Sequence, residues 1–220
     1  MVALPDLVER IAREADPDSV ARARIAFEAM TGAFAVGEAW YEERICAFFD
    51  YAIASFEDGA IARAHARRVG AHEAERSAID AITRAERSVY RVERSERGLV
   101  CESLFGARYR IAPDGVAAHF EGGERFDGRI VALDGALVIM PGALFHPAET
   151  HAAIDALHAE IGKRGLPPGA PSQEAIADAL LRMRMRFDRF MSIQARHVYR
   201  YDAIERTDIL AASWARHDRG

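Results

Sequence analysis

The side-chain pattern changes at Arg87, where Ser88-Val-Tyr-Arg-Val-Glu-Arg94 begins to alternate with the period of two that is typical of a β-strand. A second segment, Gly98-Leu-Val-Cys-Glu-Ser-Leu104, follows a charged turn. Further short segments follow turns that contain glycine: 107–111, 129–133 and 136–140. Short strands separated by such turns indicate an antiparallel meander, curled into a small, partly closed barrel. We expect residues 116–120 to add a strand and Pro141-Gly142 to end the sheet.

Before this sheet, the chain has the spacing of helices. The pattern from Leu4 onward is helical, and beyond the first turns it predicts four helices near residues 18–34, 36–56, 60–69 and 73–86. Asp16 stands where a side chain can cap the helix near 18–34, and Pro17 suits its first turn. The helix near 36–56 is apolar over more than half of its circumference, which predicts a central position.

After the sheet, helices return. His146-Pro-Ala-Glu149 predicts the start of a helix that runs to about Lys163, because proline is favoured in a first turn. A proline-rich connector follows, and Ser172 is expected to cap a long last helix whose apolar stripe reaches Val198. The sequence therefore predicts an α+β protein with three regions, either separate or packed as one unit: helical 1–86, a small antiparallel β domain 87–142, and helical 143–220.

Composition limits the classes of function. Half of the residues are hydrophobic and the net charge is −5, which favours a folded core and argues against attraction of the whole molecule to nucleic acid or to anionic lipid. Cys46 and Cys101 are predicted to be buried free thiols in a reducing compartment. The N-terminus becomes charged too early for a signal peptide, and no apolar run reaches the ~20 residues that span a bilayer. We expect a cytoplasmic protein that makes no membrane contact.

Part of the chain resembles a known group of proteins. The resemblance is carried by the run Ile45-Cys-Ala-Phe-Phe-Asp-Tyr-Ala-Ile53, by Asp58-Gly59, by Ser88-Val-Tyr-Arg-Val92 and by Phe126-Asp-Gly-Arg-Ile-Val131. Between about residues 38 and 142, the chain is similar to uncharacterised bacterial proteins with a helical front and a small β-meander. Some of these carry a C-terminal SEC-C zinc-binding motif, which is absent here because no cysteine follows Cys101. The resemblance implies the architecture, and it implies neither a function nor a zinc site.

Two groups of residues are candidates for chemistry. His151, Asp155 and His158 would share one helix face at i, i+4 and i+7, and these residue types suit zinc or iron. The alternative is a solvated helix edge with one half-buried histidine. Asp50 lies in an acidic stripe with Glu43 and Glu57, and it could act as an acid or base if it faced a cleft. The alternatives are exposure to solvent or pairing with an arginine from a neighbouring helix.

An arginine-rich helix is the candidate binding surface. Arg182, Arg186 and Arg189 are expected to share a face away from the apolar stripe, where they could hold a nucleic-acid backbone or an acidic partner. Arg200 and Tyr201 could add charge and stacking. The alternative is a solvated helix face whose arginine stems cover apolar surface.

The sequence contains none of the common catalytic signatures. It has no phosphate-binding P-loop, no dinucleotide fingerprint, no nucleophile elbow and no His-Glu-x-x-His helix. We therefore expect a non-enzymatic intracellular interaction module that binds a protein or a nucleic acid, with no cofactor. The competing hypothesis is an unfamiliar metal-dependent or acid/base hydrolase, centred on Asp50 or on His151, Asp155 and His158.

Overall fold

The N-terminal part of the chain is helical, as predicted. The computed structural model describes residues 3–38, 40–96, 98–112, 115–167, 170, 172–189 and 193–205. Its N-terminal helices are α1 (Leu4–Glu14), α2 (Pro17–Thr31), α3 (Tyr41–Ala54), α4 (Ala60–Arg68) and α5 (Glu73–Arg84). The Asp16 carboxylate caps α2 by accepting a hydrogen bond from the Ser19 backbone N–H at 2.9 Å, which confirms the predicted cap. The helix α3 begins later than predicted because Trp40, which precedes it, has a φ of 67°.

The middle of the chain forms an antiparallel sheet that curls into a half-barrel. Its strands are β1 (Arg87–Ser95), β2 (Gly98–Ser103), β3 (Arg108–Ile111), β4 (Arg125–Leu133), β5 (Ala136–Ile139) and β6 (Leu144–His146). The order is β3-β2-β1-β4-β5. Both β5 and β6 pair with β4, along residues 130–133 and residues 125–127 respectively. The long strand β4 therefore pairs with β1 and also with β5 and β6, and it is buried along most of its length.

Two predictions about the sheet are wrong. Residues 115–119 form a 3₁₀ helix rather than a strand, since this segment has no period-two alternation to bury. The sheet does not end at Pro141-Gly142, because β6 follows. With three residues, β6 is too short to give a recognisable pattern.

The C-terminal helices pack against the sheet. They are α6 (Ala148–Arg164), α7 (Gln173–Arg189), α8 (Ala195–Val198) and α9 (Tyr201–Glu205). The Ser172 hydroxyl accepts a hydrogen bond from the backbone N–H of Ala175 at 3.2 Å, in agreement with the predicted cap. The predicted single helix reaching Val198 is wrong, because Val198 belongs to the separate helix α8.

Buried side chains connect the three regions. Val131 of the sheet and Leu181 of α7 belong to the same apolar cluster as the N-terminal helices. Val89 of β1 belongs to a second cluster with α6 and α7. A third cluster is formed mainly by side chains of the sheet, together with Phe120 and Ala117. Within the described part of the chain, no helix is long and apolar enough to cross a membrane.

Candidate functional site: an apolar cleft beside a buried charge network

A cleft of about 410 Å³ lies between α1, α3 and the turn after β5. Its walls are mainly apolar side chains from these three segments: Val8, Ala12, Cys46, Phe49, Met140 and Pro141. The cleft exists because α1 buries Leu4, Leu7 and Ile11, while the neighbouring face of the helix is left only partly covered. A volume of this size falls within the range of ligand-binding sites, about 300–1,000 Å³.

The thiol of Cys46 forms part of the cleft wall. The sequence predicts that both cysteines are buried, which is confirmed for Cys101 and wrong for Cys46, since Cys46 is exposed. It lies on the side of α3 that faces the cleft rather than on the side that faces the core. Partial burial, followed by the charges of Glu42 and Glu43, raises the pKa of the Cys46 thiol. A raised pKa makes this thiol a slow nucleophile at neutral pH.

Asp50 lies one turn after Cys46, at the boundary between the cleft and the protein interior. Only 5% of Asp50 is exposed. Its Oδ2 accepts a hydrogen bond from Nε of Arg129 at 3.1 Å, and its buried Oδ1 has no hydrogen-bond partner among the described residues. The backbone of Gly142 packs directly against it, since a Cβ added to Gly142 would lie 2.6 Å from Asp50 Cβ. Asp50 is thus paired with an arginine, as one sequence alternative holds, but the arginine comes from a strand.

The predicted acidic stripe does not lie along one helix face. Glu43 is exposed in the first turn of α3, whereas Asp50 is buried. Glu57 lies beyond the end of α3, with a φ of 47°. The heptad spacing failed because α3 ends at Ala54, before the third member of the stripe.

Arg129 joins Asp50 to three other segments. Only 1% of Arg129 is exposed. Its guanidinium donates hydrogen bonds to the carbonyl oxygen of Ala85, to the hydroxyl of Ser55 and to the carboxylate of Glu174, the last at 3.2 Å. This one side chain on β4 therefore contacts the ends of α3 and α5 and the start of α7.

A second buried ion pair lies beside the first. Arg87 on β1 binds both carboxylate oxygens of Asp127 on β4, at 2.6 and 2.7 Å, and also reaches Asp178 on α7 at 2.8 Å. Burial acts to lower the pKa of Arg87, but the charge and hydrogen bonds of Asp127 outweigh it and raise that pKa. Burial raises the pKa of Asp127, and the pairing with Arg87 opposes this rise. We call Asp50, Arg87, Asp127 and Arg129 the buried charge network.

Three members of this network have no local signal in the sequence. Arg87, Asp127 and Arg129 lie in strand segments, where an isolated charged residue normally points to solvent. Their burial depends on partners that are 40 or more residues away in the sequence. The only indication in the sequence is that Asp127 and Arg129 interrupt the otherwise mainly apolar segment that forms β4.

The predicted metal group is not assembled. Nε2 of His151 lies 2.9 Å from the carbonyl oxygen of His146, and Asp155 pairs with Arg125 at 2.9 Å. His158 is exposed at the helix surface. Across the described residues, no group of three or more histidine, cysteine, aspartate or glutamate side chains could hold a metal ion. The hypothesis of a metal site at His151, Asp155 and His158 therefore has no support from the geometry.

The predicted arginine surface is only partly exposed. Arg182 and Arg186 are half-buried, and the side chain of Arg189 lies outside the described residues. Burial lowers the pKa of Arg182. Arg184, between them, points inward, where it pairs with Asp188 and donates to the carbonyl oxygen of Phe145 at 3.0 Å. The helix α7 therefore uses Arg184 inside the fold rather than on a surface.

Arg200 and Tyr201 are also engaged within the protein. Arg200 pairs with Asp202, with 3.0 Å between Nε and Oδ1. The buried Tyr201 donates its hydroxyl to the carbonyl oxygen of Gly165 at 3.0 Å. The guanidinium of Arg164 lies 3.8 Å from the centre of the Tyr201 ring. The expectation that Tyr201 offers a ring for stacking on a base is wrong, because that ring is buried and already covered.

The fold also buries a histidine whose burial has no signal in the sequence. His146 is 3% exposed, and its Nδ1 lies 3.1 Å from the hydroxyl of Tyr199. Burial, and then the charge of Arg184, lowers the pKa of His146 to about 3. His146 is thus neutral in the folded protein at physiological pH, and it lies outside the cleft.

Comparison of the chain with protein-family models, with curated proteins and with solved structures finds no match in any of the three. The resemblance drawn from the sequence therefore stays an expectation.

Proposed function

We propose that this protein is a non-enzymatic intracellular interaction module whose cleft receives apolar side chains of a protein partner. The observation that carries the proposal is the open cleft of about 410 Å³ between α1, α3 and the turn after β5. An exposed concave apolar surface favours association, because burying one leucine or phenylalanine side chain contributes about 1.5–3 kcal/mol.

The polar groups at the cleft favour binding over catalysis. A catalytic pocket needs titratable groups that converge on a substrate. Here the Asp50 carboxylate is held by Arg129, its Oδ1 is buried, and Gly142 packs against it. The thiol of Cys46 has a raised pKa, which disfavours covalent chemistry.

A protein partner is favoured over a nucleic acid. A nucleic-acid surface requires exposed cations, and a surface for single strands also uses free aromatic rings. Arg184 on α7 points inward, and Tyr201 on α9 is buried beneath Arg164. The cleft, by contrast, is mainly apolar and suits side chains from another protein.

Photo-crosslinking from the edge of the cleft tests the proposal. In a Cys46→Ser chain that also carries Arg13→Cys, a benzophenone maleimide is expected to label position 13 alone and to leave the cleft open, because Arg13 is exposed at the cleft edge and Cys101 is fully buried. The labelled protein is irradiated in an extract of its own cells, and the crosslinked segment is identified by mass spectrometry. We expect the crosslinked segment to be an apolar segment of a protein. A synthetic peptide of that segment should slow the reaction of Cys46 in the unlabelled parent chain with Ellman's reagent.

The matched control moves the crosslinker to the sheet. A Cys46→Ser chain that also carries Glu93→Cys places it on an exposed position of β1, far along the chain from the cleft. The same crosslinked products from both chains would contradict the proposal. A crosslinked product from the Arg13→Cys chain that nuclease removes would also contradict the proposal.

A further inference from the structure

The rim of the cleft carries acidic side chains. Glu9 of α1 lines the cleft, and Glu42 and Glu43 lie one turn before Cys46 on the same side of α3. All three are exposed. Their proximity is reflected in the thiol of Cys46, whose pKa the charges of Glu42 and Glu43 help to raise.

The cation at the rim is already neutralised within α1. Arg13 lines the cleft, and its guanidinium pairs with Glu9, four residues earlier on the same helix. Among the described residues, neither Glu42 nor Glu43 forms an ion pair, although the charge of Glu43 also acts on Arg184 of α7. The protein as a whole carries a net charge of −5, which adds to the negative potential at the α3 side of the rim.

The length of the cleft suits a short helix. The stretch of α1 from Pro5 to Arg13, which lines it, rises by about 12 Å at 1.5 Å per residue. Apolar anchors at positions i, i+3 or i+4, and i+7 of a docked helix extend over about 10.5 Å. Two to three such anchors match the apolar walls, and the flanking positions would then face the acidic rim.

We infer that the segment docked in this cleft is a basic amphipathic helix of two to three turns, whose apolar side chains enter the cleft and whose lysine or arginine side chains face Glu42 and Glu43. This inference rests on the proposed function and adds the chemistry of the partner. The apolar contacts provide most of the affinity. The acidic rim selects basic partners and rejects acidic ones, because like charges at an interface oppose association.

Two synthetic peptides test the charge preference. Both have about 14 residues with leucine at the helical anchor spacing, and the remaining positions are lysine in one and glutamate in the other. Binding is measured by fluorescence anisotropy at low and at high salt. We expect the lysine peptide to bind, with an affinity that falls as salt rises, and the glutamate peptide to bind far more weakly.

Substitutions locate the interaction. The double substitution Glu42→Gln with Glu43→Gln is expected to lower the affinity for the lysine peptide roughly two- to thirtyfold. This is the effect of losing two exposed ion pairs. The control, Glu93→Gln with Glu121→Gln, removes the same charge from exposed positions elsewhere and should leave the affinity nearly unchanged. Thermal melts of both chains verify that each is folded.

A covalent block separates the two proposals. Alkylation of Cys46 with N-ethylmaleimide fills the cleft and should abolish binding, whereas a Cys46→Ser chain treated in the same way should still bind. If alkylation blocks both peptides and they bind equally well, the charge preference is refuted while the cleft stands as an interaction site. If both double substitutions weaken binding equally, the rim has no special role and the inference fails. If alkylation of Cys46 changes the binding of neither peptide, the proposed function itself fails.

Discussion

Replacing Gly142 with alanine tests how closely the turn after β5 is fitted against α3. The new Cβ would lie 2.6 Å from Asp50 Cβ and 2.8 Å from the carbonyl oxygen of Cys46. Neither atom can move away by a side-chain rotation, because one is main chain and the other is directly attached to it. The backbone at Gly142 does not have a positive φ, so the cost is steric. Overpacking of this kind costs about 1–3 kcal/mol, which lowers Tm by about 2–12 °C in a chain of this size.

Gly162→Ala in α6 is the matched control. An added Cβ there meets no atom within 4 Å, and alanine in a helix is expected to raise the free energy of unfolding by about 0.5–1 kcal/mol. Urea unfolding followed by circular dichroism measures both chains. A Gly142→Ala chain as stable as the parent would refute the close packing of the turn against α3.

Three further predictions concern the buried groups and the thiol. Asp127→Asn leaves the buried Arg87 without its main counter-ion and is expected to cost about 3–5 kcal/mol in urea unfolding; a loss under 1 kcal/mol would contradict a buried ion pair. Between about pH 3 and 6.5 the unfolded chain binds a proton that folded His146 excludes, so stability rises with pH. His146→Gln should reduce this slope by up to about 1.4 kcal/mol per pH unit, and an unchanged slope would count against the buried neutral histidine. Glu42→Gln should speed the reaction of Cys46 with Ellman's reagent near neutral pH, and an equal or slower rate would argue that its charge does not reach the thiol.

Elements with a regular pattern could be predicted from the sequence. The helices α4 and α5 lie close to their predicted positions, and the alternation after Arg87 correctly indicated antiparallel strands. Capping by Asp16 and Ser172 was predictable because a cap depends on a side chain and a backbone group three residues apart. The sequence was less informative where an element was short, as in β6.

Only one residue of the candidate site, Asp50, could be singled out from the sequence, and the arrangement of the site could not. Asp50 drew attention as an acid on an apolar helix, but its partner Arg129 is 79 residues away in the sequence. The cleft also requires α1, α3 and the turn after β5, which meet only in the folded chain. The arginines of α7 were predicted to be exposed because helical periodicity shows which residues share a face. It does not show which other elements pack against that face.

The contacts of Arg129 have a consequence for the order of folding. Its guanidinium joins Asp50 and Ser55 with Ala85 and Glu174, groups that come from both helical regions and meet on a central strand. The four bonds are complete only when the strand has paired and the helices on either side have docked. Closing loops of this length carries an entropic cost before the contacts form, which slows folding. We therefore expect the chain to unfold in a single cooperative transition, and a fragment ending at residue 86 to lack a stable native state.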